Sequence, residues 1–231
     1  MRFSMVLTLL AAFTILPEAA HAVILAQYDF TGSSLNSSDS SLDSTASAFS
    51  TVGFTSVVNV SIGNPAPAIF AQSDLINGPD AAPNFIPVNS VSDYFSFTVT
   101  PIATSLDYGM LTMDVRTMTN TAALFYFSLQ TSLDSYATNI ATYEILGSAS
   151  TMTFQSYSFD LSAFSPSSGA EVFRIVLRDN TSNVARGLVF DNVTLNTVPE
   201  PTTAALILGT LAAGILIRRR FSRQSGNGSL S

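Results

Sequence analysis

Across the middle of the chain, apolar and polar residues alternate in short runs of period two. Phe95, Phe97 and Val99 alternate with Ser96, Thr98 and Thr100, and Leu111, Met113 and Val115 with Thr112, Asp114 and Arg116. Phe125, Phe127 and Leu129 repeat the pattern, as do Phe173, Ile175 and Leu177, which leave Arg174 and Arg178 on the opposite side. That period marks strands with one buried face. Residues 24–30, 54–62, 153–160 and 187–195 predict further strands, about eight in all, and no stretch has the period of an amphipathic helix. Clusters of Ser, Asn, Gly and Pro separate the runs. The pattern predicts an all-β fold, an antiparallel two-sheet sandwich of jelly-roll type. Two segments break it. Residues 31–50 are rich in Ser and Asp, and residues 63–87 carry five prolines, so both read as long loops without regular structure.

Two continuous apolar runs flank this region. Near the start, Met1-Arg2 precedes an apolar run over residues 6–16, then Pro17 and Glu18, with Ala20 and Ala22 at the small positions before Val23. This is the layout of a secretory signal peptide, residues 1–22, with cleavage before Val23. Near the end, Pro199-Glu200-Pro201 precedes an apolar run over residues 204–217 and the cluster Arg218, Arg219 and Arg220. Fourteen residues span about 21 Å as a helix at ~1.5 Å per residue. That is short for a hydrocarbon core of ~30 Å, so the transmembrane helix is extended to 202–217 and remains marginal. Arginines after the span stay cytoplasmic, which puts residues 23–197 outside and leaves 221–231 as a cytoplasmic tail. Both ends give the same topology, an inner-membrane anchor with an exported ectodomain.

Composition narrows the chemistry. The single histidine, His21, lies in the signal peptide; there is no cysteine, and all nine basic residues are arginine. The ectodomain therefore lacks imidazole, thiol and amine side chains. Nucleophilic triads, Schiff-base lysines and His or Cys zinc sites are excluded unless a partner supplies the missing group. Two carboxylates suffice for a glycosidase, but the only ectodomain glutamates, Glu144 and Glu171, sit in no recognisable pattern. The expectation is a protein that is not an enzyme and has no catalytic cofactor. Four ectodomain arginines face fourteen Asp and Glu, a net charge of −10, and such a surface repels nucleic acid.

Pro-Glu-Pro, a short apolar helix and a terminal arginine cluster together resemble the PEP-CTERM sorting signal of Gram-negative bacteria, over residues 198–220. The resemblance implies an exosortase-type processing enzyme acting near Pro199, Glu200 and Pro201. It also implies delivery to the cell surface or extracellular matrix, where exopolysaccharide is a common neighbour. Tyr28-Asp29-Phe30 and the closing Phe190-Asp191-Asn192-Val193-Thr194-Leu195 more weakly resemble carbohydrate-binding jelly rolls. That likeness implies a structural Ca²⁺ on Asp191, with Asp29 as a second ligand if the terminal strands are neighbours. Read from the residues alone, Asp191 shares a strand face with Val189, Val193 and Leu195, and accepts backbone N–H groups or pairs with Arg186. Tyr94 and Tyr126 alternate outward from the inferred core faces and are the candidate sugar platforms. The ectodomain is thus expected to be a structural or adhesive module, with carbohydrate binding as the alternative and a carboxylate-pair hydrolase behind both.

Overall fold

The alternating runs form long antiparallel strands because each buries one row of side chains and hydrogen-bonds its backbone to a neighbour. In the computed structural model the described residues are 22–54, 56–60, 68–72, 93–102, 105–118, 123–164, 166–179 and 187–198. The signal peptide up to residue 21, the sorting motif from Pro199 onward, the arginine cluster and Arg186 lie outside them. Among the described residues no helix is long and apolar enough to cross a membrane.

Among the described residues twelve strands run in order: β1 Ile24–Tyr28, β2 Ser44–Ala46, β3 Ser50–Val52, β4 Ser56–Val60, β5 Ala68–Gln72, β6 Tyr94–Pro101, β7 Tyr108–Thr117, β8 Leu124–Thr131, β9 Thr142–Leu146, β10 Gln155–Asp160, β11 Glu171–Asp179 and β12 Leu188–Thr197. The first sheet has the order β10-β7-β12-β5-β4, with β1 also on β12. The second has the order β2-β6-β11-β8-β9, with β3 also on β6. All pairings within these sheets are antiparallel. This is the expected two-sheet sandwich.

The core is aromatic. Phe95, Phe97, Phe127 and Phe173 of the second sheet face Tyr28, Tyr108, Phe159 and Phe190 of the first. Edge-to-face contacts join the layers: Phe95 to Phe190 at 5.4 Å, Phe127 to Phe190 at 6.0 Å and Tyr108 to Phe173 at 5.2 Å between ring centroids. Such pairs add about 0.5–1.5 kcal/mol each beyond the area they bury. The core needs no disulfide, and Val23–Val198 form one compact unit.

Two sequence expectations change. Residues 31–50 are not a structureless loop. They include a 3-10 turn, Thr31–Ser33, then β2 and the first residue of β3, and they run beside β1. Polar groups hold this strap: Ser38 N–H donates to Gln27 O at 2.8 Å, Tyr28 Oη to Ser47 O at 2.6 Å, and buried Ser44 Oγ to Leu25 O at 3.2 Å. Phe49 plugs it into the core. Within residues 63–87, β5 contributes Ile69 and Ala71 to the core; the remainder lies outside the described residues.

The second change concerns Asp191. A bulge interrupts the β7–β12 ladder between Asp191 and Thr194, and Asn192 there has φ of 50°. The extra residue shifts the pleat by one. Leu188 and Phe190 face the core before the bulge, Val193 and Leu195 after it. Asp191 therefore leaves the Val193–Leu195 face and lies with Val189, directly opposite Asp114.

Candidate functional site

The outer face of the second sheet carries a cluster of arginine, tyrosine and amide side chains. On β11, Arg174 pairs across the ladders with Ser96 of β6 and Gln130 of β8. Its guanidinium carbon lies 4.7 Å from the centroid of the Tyr94 ring and 3.7 Å from that of Tyr136. The guanidinium is thus layered against two tyrosines. A planar cation against a ring face is attractive by about 0.5–2 kcal/mol.

Tyr136 reaches this position through a local twist. After β8 a 3-10 turn, Ser132–Asp134, is followed by Ser135 and Tyr136, both with left-handed φ near 60°. Such values are uncommon outside glycine and cost on the order of 1–2 kcal/mol each. The turn is secured by Tyr136 N–H on Thr131 O at 2.9 Å. The loop then folds back over β8, where Asn139 Oδ1 accepts from Gln130 Nε2 at 2.8 Å and Ala141 O from Ser128 Oγ at 2.7 Å. Two strained residues thereby set one aromatic ring against one arginine.

Farther along the same face, Arg178 stands opposite Tyr126, and Tyr126 opposite Glu144. Burial lowers the Arg178 pKa, and the nearby Asp93 carboxylate opposes that shift. Burial, and then Glu144, raises the Tyr126 pKa. Tyr126 is only 4% exposed and packs with Val176, Tyr94 and Leu124. Of the two expected platforms, Tyr94 is half-buried and reachable, whereas Tyr126 is enclosed. Both do lie on the outer face. Tyr136 and Arg174 complete the layer. The outward alternation of Arg174 was legible in the sequence, but the back-folding of Tyr136 had no periodic signal.

The expected calcium residues come near one another without forming a cage. β1 pairs with β12, so Asp29 lies one residue beyond the Tyr28–Val193 pair, next to the bulge. Its Oδ1 accepts from Thr31 N–H at 3.0 Å. Asp191 is fully buried and its Oδ1 accepts from Asn192 N–H at 2.8 Å. Asp114 takes Asn192 Nδ2 at 2.9 Å and Ser156 Oγ at 2.5 Å. These carboxylates already accept local donors, and among the described residues no three acidic groups converge as a metal cluster. Ca²⁺ takes six to eight oxygens, more than the carboxylates of Asp29 and Asp191 supply between them. Thermal melts of residues 23–198 with and without a chelator should therefore coincide. A chelator-sensitive melt that Asp191→Ala abolishes would establish the ion instead.

Glutamate 171 is also accounted for. Ser132 Oγ donates to its Oε2 at 2.6 Å and Ser167 Oγ to its Oε1, so it joins three segments at one end of the sandwich. A depression of about 440 Å³ lies between β1 and the strap, lined by Asp39 and Asp43 together with Val23, Ile24, Gln27 and Leu42. Burial raises the Asp39 pKa, and a Ser41 backbone hydrogen bond partly offsets this. Both acids come from one strap, and β1 supplies no acid across from them.

No family model matches the chain, and no curated protein does. Among solved structures it is similar to a family 29 carbohydrate-binding module, with TM-score 0.34, 12% identity, and coverage of 76% of this chain and 91% of that one. It is also similar to an apo-form cyclase from Fischerella sp., with TM-score 0.31, 16% identity, and coverage of 82% and 93%. A family 30 carbohydrate-binding module gives TM-score 0.30 and 9% identity, with coverage of 83% and 93%. At these values the likeness says nothing about a ligand.

Proposed function

We propose that the chain is an exported, tail-sorted and non-catalytic surface protein whose ectodomain binds a glycan on the outer face of the second sheet. The observation that carries the binding reading is the Tyr94–Arg174–Tyr136 layer beside the Gln130–Asn139 amide pair. Rings and a planar guanidinium offer flat surfaces for the C–H faces of a sugar, while amides and hydroxyls match its oxygens. Export and sorting rest on the sequences of the two ends, residues 1–22 and 198–220. Exopolysaccharide is the natural partner at the address those ends specify. The exosortase and the inner membrane are the partners of the tail.

The test uses residues 23–198, which contain the whole principal core. In affinity gels cast with neutral and acidic bacterial polysaccharides, the domain should be retarded by at least one of them. Arg174→Ala and Tyr136→Ala should each weaken that binding by roughly tenfold, the effect of losing about 1.4 kcal/mol. Their melts should stay near that of the parent. Retardation unaffected by either substitution would move the site elsewhere. Absence of retardation on every polysaccharide would leave the structural or adhesive module, a reading that the enclosure of Tyr126 favours.

A further inference from the structure

Exposed apolar side chains gather at one end of the sandwich. Among the described residues the large exposed ones are Val23, Ile24, Leu42, Ile102, Met110 and Val198, together with Leu146 and Met152. The first six share an end. Val23 and Ile24 open β1, and Val198 follows β12, where Thr197 N–H donates to Val23 O at 2.8 Å. Met110 lies near the start of β7, and Ile102 follows β6, with its N–H on Asp43 O at 2.9 Å. Leu42 lines the same depression as Val23 and Ile24. Leu146 closes β9 and Met152 sits beside Arg116 near the end of β7, both toward the opposite end. Leu42 is 88% exposed and Ile102 57%. Single exposed apolar residues are ordinary, whereas six at one end of a sandwich make that end a candidate interaction surface.

The chain leaves from this end. Val198 N–H is fixed on Asp107 O at 3.1 Å, and residues 199–203 alone separate it from the apolar run at 204. Five residues reach at most about 18 Å when fully extended. Roughly 5–7 Å of that is taken by the headgroup layer on one side of a bilayer. Under the anchor reading, so short a linker limits how far Val198 can stand from the lipid surface.

We propose that this apolar end is a bilayer-contacting rim, which rests on the lipid surface while the tail spans the membrane; the inference depends on the anchor reading above. The acids Asp39 and Asp43 line the depression and no arginine does, so the rim suits a zwitterionic surface better than an anionic one.

Because the chain has no cysteine, single-cysteine variants can be labelled at one site. Leu42→Cys, Ile102→Cys and, as control, Leu146→Cys would each carry a bimane in protein extracted from membranes and reconstituted into phosphatidylcholine–phosphatidylethanolamine vesicles. Headgroup-nitroxide lipid should quench positions 42 and 102 several-fold more than position 146, and added anionic lipid should reduce the difference. Equal quenching at all three sites, in protein that floats with the vesicles, overturns the rim and leaves the anchor standing. Failure to float removes the anchor and the rim with it. A concentration-dependent shift of the position 42 label in lipid-free 23–198 would place a second copy on the rim, and that also overturns the proposal.

Discussion

Phe127→Ala should destabilise the ectodomain by about 3–5 kcal/mol, the usual cost of emptying a phenylalanine site in a close-packed core. Phe127 is fully buried on β8. Its ring meets Tyr157 at 5.0 Å, Tyr143 at 5.3 Å, Phe190 at 6.0 Å and Phe159 at 6.2 Å, so one side chain touches both sheets. Tyr143 and Tyr157 also meet edge to face at 4.9 Å, and neither can swing into the cavity without losing that contact. In a domain of this size the loss corresponds to a drop in Tm of roughly 6–20 °C. Urea unfolding should show a lower midpoint with an unchanged slope. Leu42→Ala, on an exposed residue, should stay within about 0.5 kcal/mol of the parent. A loss below about 1 kcal/mol for Phe127→Ala would mean that the sheets are not joined at this ring cluster.

The same residues show why the sandwich was legible in the sequence. Strands β6, β7, β8 and β11 announce themselves because every second side chain is apolar, and the register keeps those positions on one face. Strands β2, β3, β5 and β9 carry no such signal. Ser44–Ala46 buries a serine whose hydroxyl is satisfied by Leu25 O, so its inward residue reads as polar. Thr142–Leu146 is an edge strand with only Ile145 buried. The strap before β3 is ordered by side-chain and backbone hydrogen bonds to β1, and composition reports hydrophobic order far better than polar order.

The Asp191 face assignment failed for a local reason. A strict period of two cannot anticipate a bulge, although an asparagine tolerates φ above zero and Asn192 was the available hint. For the candidate face, Tyr94 and Arg174 were legible as outward strand positions. Tyr136 was not, because its place depends on two consecutive left-handed residues in a loop. The strain there is an observation that points to function rather than to stability alone.

Processing at the tail should be close to all-or-none. In a host carrying the exosortase, the mature protein should have a mass ending near Pro199–Pro201, whereas replacing Pro199, Glu200 and Pro201 together by alanine should leave residues 202–231 attached. The fold sets a boundary for the cut. Thr197 and Val23 exchange hydrogen bonds, Thr197 N–H to Val23 O and Val23 N–H to Thr197 Oγ1 at 2.9 Å, and Val198 N–H is held on Asp107 O. Gly109 permits this closeness, since a Cβ there would meet Thr197 O at 2.5 Å. Pro199 then has no N–H with which to continue the β12 ladder. A cut beyond Val198 therefore leaves the strand pairing of the described residues whole, and the released protein should melt at the same temperature as the tailed one in detergent. A cut upstream of Thr197 would instead strip the Val23 contact and lower the melt. An intact tail with and without the enzyme would reduce Pro199-Glu200-Pro201 to a coincidence of sequence and leave a permanent anchor in its place.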